Sequence, residues 1–123
     1  MRLQITAPTK EDLFREALGG LMQILYPQKA IPVTLKQPVY VKSADSTALL
    51  VDFLNEALQL AQSNKEIYTR VKFLKFSDKE IEAILEGYKV EKFIENIKAV
   101  TYHEANVHLN KHGEWETALV LDI

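Results

Sequence analysis

Cysteine is absent from this chain. That excludes a disulfide framework, a thiolate metal site and a cysteine nucleophile, and it fits a cytoplasmic protein. Long apolar runs are also missing. None approaches the roughly 20 residues of a membrane span, and the first residues lack the apolar core of a signal peptide, so no membrane association is expected. An excess of either charge is missing too: a net charge of −2 argues against a general polyanion binder, so any work on RNA would run through a partner. There are no repeats, low-complexity tracts or linkers. No GxSxG, P-loop or nucleophile–base pairing occurs, and no catalytic residue is assigned. The 123 residues suffice for one domain with a real core, at an ordinary 47% hydrophobic and 26% charged content.

Periodicity orders the elements. Arg2–Thr6 alternates as a short strand. Thr9 caps a helix whose stripe is Leu13, Phe14, Ala17, Leu18, Leu21, Met22 and Leu25, and Pro27 ends it. Gly19 and Gly20 inside this helix point to close packing against a sheet. The stretch 31–42 is extended, but Pro32 and Pro38 make it an edge strand or break it in two. Ser46 is expected to cap a second helix over roughly 47–62, with Leu49, Leu50, Phe53, Leu54, Ala57, Leu58 and Ala61 buried. Asp52, Asn55, Glu56 and Gln59 fall on its solvated side. Residues 67–76 alternate as a strand. Ser77–Asp78 can turn a hairpin, but 80–87 fits both strand and helical spacing. Residues 97–109 read as the longest strand, Asn110–Gly113 as a turn, and 115–123 as its antiparallel return. The expected class is α+β: a mostly antiparallel sheet with two helices packed on one face, containing a strand-helix-strand-strand unit.

The end of the chain carries the chemistry. Asp122 precedes the carboxylate of Ile123, so two hard oxygen donors stand on neighbouring residues, a pair suited to a divalent cation such as Ca²⁺ or Mg²⁺. A solvated terminal acid is the plainer reading. The unbroken apolar run Ala118–Leu121 suggests a strand covered on both faces. Within 97–109, Lys98, Val100 and Tyr102 share one face, and Ala99, Thr101 and His103 the other. Lys98 reads either as a snorkelling edge residue or as a ligand for phosphate or carboxylate. Zinc at His103, His108 and His112 is not supported by their spacing.

Three segments resemble the archease family: Leu49–Glu56, Lys98-Ala99-Val100-Thr101-Tyr102-His103, and the terminus Val120-Leu121-Asp122-Ile123. Gly113 and the phase of the first helix match as well, and the likeness runs along the whole chain. It favours strand over helix at 80–87. It also implies a function. Archeases are non-catalytic cofactors of the GTP-dependent tRNA-splicing RNA ligase, promoting its guanylylation and multiple turnover, with RNA contact indirect through that ligase. The resemblance implies a cation site, Ca²⁺ with Mg²⁺ or Mn²⁺ as alternatives, whose ligands here include Asp122 and the Ile123 carboxylate. It assigns function to Lys98 and places His103 in the same cofactor-binding motif. A small-molecule-binding module is the alternative, since strand-helix-strand-strand units occur in ligand-binding proteins.

One departure from the family is plain. Its His-Thr-Ala-Asp motif, source of another cation ligand, would stand immediately before Met1. Residues are expected to precede Met1 in the native product; a diverged form with part of a site is the other reading. The intact mass of the endogenous protein should exceed that of residues 1–123, and a mass equal to it refutes the first reading.

Overall fold

The computed structural model describes residues 1–27 and 31–123. In chain order its elements are β1 (Arg2–Ala7), α1 (Lys10–Leu25), β2 (Leu35–Lys42), α2 (Ser46–Asn64), β3 (Glu66–Phe76), β4 (Glu80–Lys89), β5 (Ala99–Thr101), β6 (His108–Leu109) and β7 (Trp115–Asp122). The α+β class with two helices holds, but the strands expected in one sheet form two, because the pairing of β7 with β1, β5 and β6 never reaches β2, β3 or β4. The strands divide between two antiparallel sheets, β1-β7-β5 with β6 also on β7, and β2-β4-β3. α1 packs on β1, β7 and β3, while α2 packs on β5 and on all three strands of the second sheet. The sheets therefore meet through the helices, and the core lies between them. No helix of the described residues is long and apolar enough to cross a membrane.

Local chemistry sets the boundaries. The Thr9 side chain accepts the Asp12 N–H at 3.1 Å, as a cap should. Asp12 does not complete a capping box, because its carboxylate takes Arg15 at 3.1 Å. The expected stripe of α1 is buried throughout. The cap of α2 is Asp45 rather than Ser46, its side chain accepting the Ala48 N–H at 2.9 Å. The helix accordingly starts at Ser46 and runs to Asn64, ending on Lys65 in a left-handed conformation. Phe14 meets Phe76 edge-on with ring centroids 5.0 Å apart, and Phe76 meets Phe73 in the same manner, which joins α1 to the second sheet.

The ambiguous stretch 80–87 is the central strand β4. Ile81, Ala83 and Leu85 are buried on one face, and Ser77 closes the hairpin through its N–H to the Glu80 carbonyl at 2.9 Å. Pro38 sits opposite Ile84 on β2, an unbroken edge strand, where its missing N–H faces no neighbour. Residues 97–109 do not form one long strand. The ladder stops at Thr101, the chain turns through Tyr102–Ala105 with Glu104 at φ 62°, and β6 resumes for two residues. The turn succeeds because Asn106 and Val107 donate their N–H groups to the hydroxyls of Thr117 and Thr47, both at 3.0 Å. Strict alternation also fails in β3. Register shifts between Tyr68 and Arg70 and between Phe73 and Lys75 leave Thr69 and Leu74 as extra residues that reset the faces.

Gly19 and Gly20 do not serve close packing: a Cβ at Gly19 meets nothing within 4 Å, and one at Gly20 meets only Leu3 Cδ1 at 3.5 Å. The glycine with a steric reason is Gly87, where a Cβ would lie 1.7 Å from the Ile67 carbonyl oxygen. Gly87→Ala should cost at least about 3 kcal/mol, because rigid backbone cannot yield. Gly19→Ala should gain about 1 kcal/mol from helix propensity. Urea denaturation of both variants checks the contrast; equal effects would mean the approach at Gly87 is softer than this geometry.

Candidate functional site

The two strands beside β7 hold it to its end. β1 pairs with it from Arg2 opposite Val120 to Ala7 opposite Trp115. One step further, the Leu121 N–H donates to the Met1 carbonyl at 2.7 Å, and the Met1 amine donates to the Leu121 carbonyl at 3.2 Å. On the other side Ala99 stands opposite Asp122, and the Lys98 N–H donates to the Asp122 carbonyl at 2.7 Å. Asp122 and Ile123 then emerge exposed. Met1, Lys98, Asp122 and Ile123 thus gather at one end of the first sheet. His103 does not: it is exposed in the turn past Thr101, which already stands opposite Val120.

Directly opposed residues of antiparallel strands share a face. Val100 and Leu121 point into the core and are buried. Asp122 and Ala99 point to the outer face, where Ala118 and Val120 are half-buried, so β7 is covered on one face rather than on both. Lys98 lies on the Val100 side and, with Gln62, Lys65, Phe93 and Asn96, lines a groove of about 550 Å³. Lys98 and Asp122 therefore flank the end of β7 from opposite faces. Neither carboxylate at this end forms an ion pair within 4 Å among the described residues. The donors fit a hard divalent cation in kind: exposed carboxylate oxygens on consecutive residues. They fall short in number, since Ca²⁺ takes six to eight oxygens and no group of three or more His, Asp or Glu gathers among the described residues. The histidines are dispersed: His108 packs its Nδ1 on the Asn106 carbonyl at 2.7 Å and its Nε2 near Glu116 at 3.3 Å.

The segment that carries Lys98 is fastened by the polar side of α2. Asn55 acts as a substitute strand: its Nδ2 donates to the Val100 carbonyl and its Oδ1 accepts the Val100 N–H, both at 2.8 Å. Gln62 Nε2 donates to the Ile97 carbonyl at 2.6 Å. Asp52 accepts from Ser43 Oγ at 2.6 Å and from the Tyr102 hydroxyl; that bond to Asp52, ahead of desolvation, raises the Tyr102 phenol above its ordinary 10.0. The expectation of a solvated face for Asp52 and Asn55 is therefore corrected. The available signal was their spacing with Gln62, polar residues at three- and seven-residue steps along one side of a helix.

Comparison with known proteins gives one consistent result. The model of the archease protein family (MTH1598/TM1083) matches residues 1–123. The protein archease of Methanosarcina barkeri is 28% identical over 131 residues, covering 100% of this chain and 89% of that protein. The archease of Pyrococcus furiosus is 28% identical, covering 94% and 86%. Among solved structures, an archease and possible chaperone from Thermotoga maritima superposes with a TM-score of 0.73 at 21% identity, covering 100% of this chain and 90% of that one. Methanobacterium thermoautotrophicum protein 1598 superposes with a TM-score of 0.78 at 19% identity, covering 99% and 91%. At those identities the structures speak for the fold alone.

Replacing Asn55 by alanine should leave the Val100 N–H and carbonyl without partners at a buried position. The cost is about 2–3 kcal/mol, the usual penalty for orphaned buried polar groups. Hydrogen exchange at residues 97–102 should accelerate at least tenfold while β4 stays protected. Unchanged protection at Val100 would show that β7 alone holds the segment.

Proposed function

Because the chain belongs to the archease protein family, we propose that it is a non-catalytic activator of a GTP-dependent tRNA-splicing RNA ligase, promoting that ligase's guanylylation and repeated turnover. The observation that supports this reading is the placement of Lys98, Asp122 and Ile123 at one exposed, rigidly paired end of the first sheet. Asp122 and the Ile123 carboxylate hold the divalent cation, Ca²⁺ with Mg²⁺ or Mn²⁺ as alternatives. When bound, that ion supplies positive charge for phosphate oxygens. Lys98 offers a second cation on the opposite face, directed at phosphate or at a partner carboxylate. His103, away from the carboxylates but on the same segment, is exposed to the ligase. Association with RNA is indirect, through that ligase, and the compartment proposed is the cytoplasm.

The geometry accounts for how such an end would be kept ready. Asp122 is the last residue of a strand paired on both sides, so its carboxylate is presented without a loop to order on binding. β1 runs antiparallel to β7, so its line extended backwards beyond Met1 leads from Leu121 toward Asp122. A carboxylate placed ahead of Met1 would enter the same end.

Ligated RNA per ligase molecule, in the presence of GTP and divalent metal, is the deciding quantity. The chain should raise it above one, and Asp122→Ala or a tag that turns the Ile123 carboxylate into an amide should abolish the effect with the fold retained. By calorimetry the 123-residue chain should bind Ca²⁺ with a Kd on the order of 1 mM, as expected for an incomplete oxygen shell, and His-Thr-Ala-Asp placed ahead of Met1 should tighten it. Full activation by Asp122→Ala would sink the reading. Continued single turnover with the extended chain would favour a small-molecule-binding module instead.

A further inference from the structure

The inner face of the second sheet is covered by the helices; among the described residues nothing covers its outer face. Antiparallel sheets ordinarily solvate such a face with polar side chains, and here the margins conform. Lys36 and Lys42 on β2 and Arg70, Lys72 and Lys75 on β3 are exposed. The middle does not conform. Pro38 stands opposite Ile84, which also stands opposite Lys72, and Tyr40 and Leu74 are 57% and 55% exposed. Pro38, Tyr40, Leu74 and Ile84 line an open hollow of about 530 Å³ together with Glu82. Leu74 reaches it because it is the extra residue at the β3 register shift, and bulges commonly re-aim a side chain in this way.

We propose that this face docks an acidic amphipathic segment of a partner protein, laid along the strands with its apolar side in the hollow. Charge selects the occupant. The face holds five cations against three glutamates, Glu80, Glu82 and Glu86, a surplus of two positive charges on a chain of net charge −2. Two of the glutamates are already neutralised, Glu80 by Lys75 at 2.6 Å and Glu86 by Arg70 and Lys36 at 3.5 and 3.8 Å. Lys42 and Lys72 form no ion pair among the described residues. Cations on both rims with an apolar middle complement a helix carrying acids on both flanks of an apolar stripe. Glu82, beside the hollow, accepts a donor from that segment. A nucleic acid fits less well, because the glutamates lie along the middle strand, where a phosphate backbone would run. Size agrees: three strands about 4.8 Å apart and eight residues long give a face of roughly 10 by 26 Å, the width of a single helix.

The test is an NMR titration of the whole chain with three probes: an 18-residue helical peptide with leucines flanked by glutamates, the same peptide with lysines for glutamates, and oligouridylate. The acidic peptide should shift the amides of Tyr40, Glu82, Ile84 and Leu74, more weakly at high salt. Leu74→Glu and, separately, Lys72→Glu should weaken binding at least tenfold with spectra otherwise unchanged; two surface variants guard against a folding artefact. Equal or stronger shifts of those amides by the basic peptide or by oligouridylate overturn the assignment, as does an acidic peptide that leaves them in place.

Discussion

The hydrogen bonds that α2 gives to residues 97–107 are the constraint on which the exposed end of the first sheet depends. β5 is only three residues long and has a ladder on one side alone. Its other edge faces the core, where an unpaired amide or carbonyl is expensive. Asn55 satisfies both groups of Val100, Gln62 takes the Ile97 carbonyl, Asp52 holds Tyr102, and Thr47 takes the Val107 N–H. These bonds fix the level at which Lys98 meets Asp122. They also sort the polar residues of the two internal motifs. Asp52, Asn55 and Tyr102 have structural partners that explain them. Lys98 is exposed, and its side chain forms no ion pair among the described residues.

Much of this was legible in the sequence, because two periods carry most of the information. The 3.6-residue stripe of α1 and its Thr9 cap, the hairpin at Ser77, the turn at Gly113 and the edge placement of β2 all follow from local rules that tertiary structure did not override. What failed shares one cause. A bulge, a ladder break or a substitute strand is decided by a partner far along the chain. The alternation of 97–109 is real, yet its second half turns away because Thr47 and Thr117 offer hydroxyls to its amides. Asp52 and Asn55 looked solvated because no period reveals a backbone segment lying against a helix. The opposite facing of Lys98 and Asp122 emerged only from register.

β4 shows how little freedom the second sheet retains. It is the one strand of that sheet paired on both sides, and its outer row carries all three glutamates while the cations sit on the flanking strands. This places opposite charges directly across from one another, at Lys42 and Glu80, Lys36 and Glu86, and Arg70 and Glu86. It also protects the exposed edges of β2 and β3, where Lys, Arg and Pro oppose pairing with a further chain. A flat apolar edge would invite strand addition; this one leaves the face, not the edge, as the apolar surface.

The exposure of the carboxyl end governs its electrostatics as well as its access. Asp122 and Ile123 are both exposed, so water screens the repulsion between carboxylates on these consecutive residues. Exposure keeps the repulsion small, so the gain from any one ion is small as well. On the proposed reading, Asp122 and the Ile123 carboxylate would hold a divalent cation, which would supply positive charge for phosphate oxygens. Weak binding in isolation would then follow from the same exposure that leaves these two residues open to a partner. The site would gain affinity when partner and ion arrive together, because each supplies what the other lacks.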